Sequence, residues 1–386
     1  MREQNSSRPF RRIALICAFV ATLSSLSVVA ASMAPRGWEP SALVRVAESD
    51  RMADFVVDLD PGFALTSAGT HYDGLFNYTI ALDPFARGPY HDKIDLAPYR
   101  YAHPGYGWLA SLVAWRQPRA IPEALIFVNV AAMAVAAAAV SVLARLCGWS
   151  PWAGLLVAAW PGLLLSVAVD TSEPLTIALL ALSLLTWFQG KRAAASVLFV
   201  ALCLVDEPSV MVPVSLAVWE IIRRIRGWTL EPFWRTVAWL LPGPVAFVAW
   251  YAYLRATFGA LPTSATEALL SFPFAGWIET LEIAGDMLDG PELQTQIGLV
   301  AIPVLIATTV LFAVAAVRAF RVRSPFDVIY LQAMVLATML NWTTFLYVKD
   351  YMRSLNTILF LVPAVLAGIH LPAAIGRSRD DEHDVA

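Results

Sequence analysis

Charge is scarce in this chain. Of its 386 residues only 15% are Asp, Glu, Lys or Arg, where an ordinary soluble domain carries about a quarter. The net charge of −3 gives no basic surface for nucleic acid, so no nucleic-acid partner is expected. Cysteine is also rare. Cys17, Cys147 and Cys203 each fall inside an apolar run, which excludes a disulfide framework or a zinc-ribbon spacing and leaves them as packing residues. There is no His-Glu-x-x-His motif, no internal repeat and no low-complexity tract.

What the chain has instead is length of hydrophobic sequence. It is 58% hydrophobic, with mean hydropathy +0.62, and the excess sits in runs such as Ala124 to Leu143 and Leu299 to Val317. A bilayer core of about 30 Å requires such runs, and lipid forces them to be helical because the backbone finds no partner there. The pattern predicts an all-α polytopic membrane protein forming a single transmembrane domain over 1–386. About ten spans are expected, near 13–34, 121–145, 151–169, 172–189, 192–205, 208–223, 234–256, 297–319, 325–347 and 354–375.

Cations support that layout. Arg2, Arg8, Arg11, Arg12, Arg145, Lys191, Arg192, Arg223, Arg224, Arg226, Arg235, Arg318, Arg321, Arg323, Arg377 and Arg379 fall on one side, whereas the short opposite connections hold Asp170, Glu173, Asp206 and Glu207. The positive-inside rule then puts both termini in the cytoplasm of a multi-pass plasma-membrane protein. The stretch 192–223 is short for two spans of roughly twenty residues. Reading it as one broken span would reverse everything downstream. Arg11-Arg12 before the first run also fits a signal peptide, but the run exceeds the usual apolar length of about 7–15 residues, so an uncleaved span is expected.

Two longer outer segments remain, 35–120 and 257–296. Met52 to Leu59 and Trp277 to Leu288 are expected as interfacial helices, with Trp38, Trp108, Trp115 and Trp277 as headgroup anchors.

The first segment concentrates chemistry. Thr70-His71-Tyr72-Asp73-Gly74-Leu75-Phe76-Asn77-Tyr78 is followed by Asp83-Pro84 and by Asp95-Leu96-Ala97-Pro98-Tyr99-Arg100-Tyr101-Ala102-His103. Residue types alone favour turns, since Asp-Gly and Asp-Pro form them wherever they occur. The order of the motifs adds more. The segment resembles the first outer loop of GT-C-type, polyprenyl-phosphate-dependent glycosyltransferases. More narrowly, it resembles bacterial membrane proteins with a Tyr-Asp-Gly-Gln-Phe-Tyr-Tyr, Asp-Pro and Tyr-Arg-Tyr series. Tyr72, Asp73, Gly74, Phe76, Tyr78, Asp83, Pro84, Tyr99, Arg100 and Tyr101 match. Leu75 stands where Gln is usual, Asn77 where Tyr is usual, and His103 where a second arginine is expected.

The resemblance implies a glycosyltransferase that moves a sugar from a polyprenyl-phosphate donor to a glycan, lipid or protein acceptor. Asp73 would be its base, taking the acceptor's proton, and attack opposite the phosphate would invert the anomeric centre. Tyr72, Arg100, Tyr101 and His103 would bind substrate. Arg100 is suited to the leaving phosphate through paired hydrogen bonds, although a loop salt bridge to Asp95 accounts for it equally. The family places a basic residue in the last outer loop, here Lys349 or Arg353, for which headgroup snorkelling is the plain alternative. It also suggests an acid before proline, here Glu173, where helix capping is the default. Some enzymes of this type use a divalent metal and others do not, so no metal is assigned. A transporter or flippase for a lipid-linked substrate, and a non-catalytic membrane partner, are the competing readings.

Overall fold

The computed structural model describes residues 2–69, 71–229, 232–264 and 270–368. Thr70, Arg377, Arg379 and the end of the last expected span, 369–375, lie outside the described residues. Among the described residues there is no strand, only isolated bridges joining Ala47 to Thr66 and Leu270 to Leu340.

The helices in chain order begin with α1 (Arg2–Met33), α2 (Ala53–Leu59), α3 (Gly74–Leu82), α4 (Ala97–Arg100) and α5 (Gly105–Val113). Next come α6 (Ile121–Leu146), α7 (Leu155–Ala159), α8 (Pro161–Ala168), α9 (Glu173–Phe188) and α10 (Arg192–Val205). They continue as α11 (Met211–Ile225), α12 (Phe233–Val237), α13 (Pro242–Phe258) and α14 (Ala275–Asp286). The last are α15 (Glu292–Ala319), α16 (Pro325–Met339), α17 (Trp342–Leu346), α18 (Val348–Ser354) and α19 (Asn356–Ala367).

Every expected span therefore contains a helix. Length and hydropathy together qualify three of them to cross a membrane, over Arg11–Arg36, Pro118–Leu146 and Glu292–Ala319. Counting a bent pair as one span adds Pro151–Ala159 with Pro161–Ala168, which turn by 49° at Trp160. Proline explains the bend, because Pro161 cannot donate the backbone hydrogen bond that would continue α7. The others are shorter than a span: α9, α10, α16 and α19 are apolar helices of 10–17 residues.

The chain divides into two compact units. Among the described residues, the first comprises those within 2–209 and 242–262, and the second those within 210–241 and 263–368. In the first, α6 packs against both α1 and α9. Its contact face is built from Ala124, Val128, Ala132, Ala136 and Ala139, small residues that let helix backbones approach closely without water driving them together. The opposite face of α1 shows Leu15, Phe19, Leu23 and Leu26 to the outside, an apolar surface suited to lipid. Cys17, Cys147 and Cys203 are buried and free, as packing residues should be.

In the second unit Ala284, Ala301 and Leu346 form a core covered by Ile283, Met287, Ile297, Ile302 and Trp342. A reciprocal cap starts α16. The Asp327 backbone N–H donates to the Ser324 hydroxyl at 3.3 Å, and the Asp327 carboxylate accepts from the Ser324 N–H at 2.8 Å, satisfying two otherwise orphaned donors. The expected span 325–347 is interrupted after Met339. Leu340 and Asn341 are extended, and Asn341 caps α17 by accepting from Thr343 N–H at 3.1 Å. Asn341-Trp342-Thr343 is thus a helix cap.

Two of the four tryptophans expected as anchors face inward. Trp108 donates to the Pro84 carbonyl at 2.6 Å, and Trp277, 7% exposed, donates to the Ala337 carbonyl at 3.1 Å. Trp38 and Trp115 are exposed. The short helices expected at 52–59 and 277–288 are present as α2 and α14.

Candidate active site

Asp73 stands at the cap position of α3, yet its side chain makes no cap hydrogen bond. Gly74 follows it for a steric reason. A Cβ there would lie 2.6 Å from the Val169 carbonyl oxygen and 2.7 Å from that of Val44, so only glycine lets the start of α3 seat between those segments. Asn77, one turn on, donates its amide to the Asp170 carbonyl at 3.0 Å. Asn77 is buried.

Arg100 closes the site from α4. Its Nη1 is 3.4 Å from Asp73 Oδ1, its Nε is 3.3 Å from Asp95 Oδ1 and its Nη2 is 3.4 Å from Asp95 Oδ2. The guanidinium carbon lies 3.6 Å from the centre of the Phe76 ring and 5.5 Å from that of Tyr99. The salt bridge to Asp95, one of the two accounts of Arg100, is present, and Arg100 also touches Asp73 at the helix start. A guanidinium stacked flat on an aromatic ring has a fixed orientation, and the long contacts leave it able to exchange partners. The Asp73 side chain remains about a third exposed, at 35%.

Asp83 has a different task. Its carboxylate accepts from the backbone N–H of Arg87 at 2.8 Å and of Gly88 at 2.9 Å, and His91 Nδ1 lies 3.0 Å away. The Tyr101 hydroxyl donates to the Asp83 carbonyl at 2.9 Å, and the Tyr101 carbonyl accepts from Trp250 Nε1 at 2.7 Å. Asp-Pro thus organises the loop. Tyr101, fully buried, supports it from beneath, and burial beside the Asp83 charge pushes its phenol well above the ordinary value. Tyr72 meets the Arg45 carbonyl through its backbone N–H at 3.3 Å. The His103 ring stands edge-on to Tyr99 at 6.3 Å.

Glu173 opens α9, with Pro174 just inside the helix. Capping was the expected job of the preceding polar residues, but no side chain caps this helix. Instead Asp170 is fully buried, has left-handed backbone (φ 49°), and neither carboxylate oxygen has a hydrogen-bond partner among the described residues. Burial drives its carboxyl well above the usual range. At the related turn, Asp206 accepts from the Ser209 hydroxyl. Burial, outweighing that hydrogen bond, raises its carboxyl to about 6. Composition gave no sign that these two similar turns would differ.

Lys349 and Arg353 lie in the second unit, four residues apart on α18, and Lys349 Nζ is 5.9 Å from the Tyr347 ring centre. At that spacing the two cations share a face of this short helix, which is separate from α19. Among the described residues no three His, Cys, Asp or Glu side chains stand close enough to hold a metal ion. Two of the loop histidines are paired with carboxylates, His71 with Asp50 at 2.9 Å, and His91 with Asp83 at 3.0 Å and Asp92 at 3.3 Å. No family model and no curated protein matches the chain.

Proposed function

We propose that this protein is a GT-C-like membrane glycosyltransferase. It takes a sugar from a polyprenyl phosphate and transfers it, with inversion, to an acceptor at the outer face of the plasma membrane. The observation that carries this reading is Asp73: an accessible carboxylate at a helix start, spared from capping, held against an arginine that is itself stacked on Phe76. Asp73 accepts the acceptor hydroxyl's proton as the C–O bond forms. Arg100 stabilises the departing lipid phosphate, releasing Asp95 to do so, because a guanidinium binds phosphate through two parallel hydrogen bonds. Tyr72 and His103 border the sugar, and Glu173 completes substrate binding on the first unit. Asp83 and Tyr101 hold the loop in shape.

In this reading the remaining apolar helices group to about ten spans with both ends cytoplasmic and this loop outside, which the alternation of cations along the sequence supports. The deciding experiment is transfer from a radiolabelled polyprenyl-phosphate sugar in membranes containing wild type or Asp73→Asn. Loss of transfer with normal membrane insertion supports the assignment, and full activity in the variant overturns it.

One observation favours a second reading. A buried carboxylate without a partner, Asp170, directly after a bent helix pair is the arrangement of coupling sites in transporters of lipid-linked or other polar substrates. Translocation of a fluorescent polyprenyl-linked sugar across proteoliposomes, lost in Asp170→Asn but kept in Asp73→Asn, would favour it.

A further inference from the structure

The first apolar helix ends in a sharply turned hook. After Arg36 the backbone is left-handed at Gly37 (φ 68°), Trp38 (φ 64°) and again at Arg45 (φ 63°). Non-glycine residues rarely adopt this conformation, and two of them here set the course of a segment that contains two arginines. Arg45 is half-buried, and its Nε has no hydrogen-bond partner. Among the described residues Arg36 donates to the Ser32 carbonyl, at 2.9 Å.

Among the described residues no carboxylate forms an ion pair with either arginine. Nearby acids are engaged elsewhere: Glu39 with the Ser41 hydroxyl at 3.2 Å, Asp50 with Ala47 N–H and His71, and Asp73 with Arg100. Burial and, after it, the positive charge of Arg36 both lower the Arg45 pKa. Two like charges, one partly withdrawn from water and neither neutralised, are an uncompensated cost that an anion relieves. The hook directly follows the apolar helix Arg11–Arg36 and carries Trp38, 61% exposed. Exposed tryptophan at a span's end marks headgroup depth, where the abundant anion is a phosphate ester.

We propose that Arg36 and Arg45 form a binding site for the headgroup phosphate of a membrane lipid at the outer end of the first span. The Arg45 carbonyl accepts the Tyr72 N–H, so the site is one backbone hydrogen bond from the segment that carries Asp73. It stands whether or not the protein transfers sugars.

The test uses the full chain in a neutral detergent, following the thermal unfolding midpoint through tryptophan fluorescence as phosphatidic acid is added. Parallel titrations use the phosphate-free diacylglycerol with the same chains, and inorganic phosphate. Phosphatidic acid should raise the midpoint where diacylglycerol does not. The half-saturating concentration should increase about tenfold in Arg45→Gln and in Arg36→Gln, as expected when a charge-assisted contact is lost. If Arg45→Gln does not fold, Arg45→Lys, which keeps the charge but loses the planar fork, takes its place. An equal shift with diacylglycerol, or half-saturation unchanged in both variants, overturns the site. An arginine-dependent shift as large with inorganic phosphate overturns the lipid source and assigns the site to soluble phosphate.

Discussion

Two acidic regions of the first unit invite comparison. In the loop between α1 and α6 four carboxylates have partners: Asp50 a backbone N–H and His71, Asp83 two backbone N–H groups and His91, and Asp73 and Asp95 share Arg100. At the turn between α8 and α9, Asp170 is buried and neither carboxylate oxygen is hydrogen-bonded among the described residues. Both regions look alike in composition, with small acids, threonine or serine, and proline. The difference lies in water. An accessible carboxylate that has partners but can exchange them is suited to taking part in a reaction. One that is fully enclosed without partners must hold a proton or be met by something the fold admits, because an isolated buried charge is too costly.

The comparison can be broken most sharply at Asp73. Replacement by Asn should lower transfer by about a hundredfold or more, the scale of general-base catalysis, with little change in the unfolding midpoint. A large loss of stability instead would place Asp73 with the structural acids. Next in size is Asp83→Ala, which strands two backbone N–H groups and His91. A cost of about 2–4 kcal/mol is expected from the unsatisfied donors, read as reduced midpoint and yield in detergent, with activity falling only as folded protein falls.

Arg100→Lys keeps the charge but loses the planar stack on Phe76 and the paired contacts. Roughly tenfold weaker use of the donor is expected, visible in KM for the polyprenyl-phosphate sugar more than in kcat.

The smallest effects lie on the buried side. Asp170→Asn keeps a residue that tolerates left-handed backbone and removes the ionisable group, so a stability change within about 1 kcal/mol is expected. A severe loss would show that Asp170 has a partner in the working protein. Asp206 carries a pH signature. Its folded-state pKa, near 6, exceeds the unfolded value of about 3.9, so the fold binds more protons than the unfolded chain between these values. Wild-type stability should therefore fall as pH rises through that window. Asp206→Asn should flatten the fall, matching wild type below about pH 4 and exceeding it above about pH 6. Thermal midpoints measured from pH 4 to 8 check this.

Much of the helix layout was legible because a bilayer leaves a chain few options. Apolar runs longer than about eighteen residues must be helices, and α1, α6 and α15 follow directly from theirs. Where a run approached the minimum length, local chemistry decided. Pro161 bent one expected span, and the Asn341 cap split another from its last turn. Neither break shows in hydropathy, which averages over the window in which they occur.

Within the site, the sequence by itself determined the ingredients: an acid before glycine, an arginine between tyrosines, and an Asp-Pro turn on one loop. It could not assign their tasks. Asp73, Asp83 and Asp170 are the same residue beside similar neighbours, and only the tertiary structure separated a part-buried ion pair, a loop fastener and an enclosed acid. It also brought forward Arg45, which no motif marked. The reason is physical: the work a charge can do depends on its distance to partners and to water, and folding alone sets both.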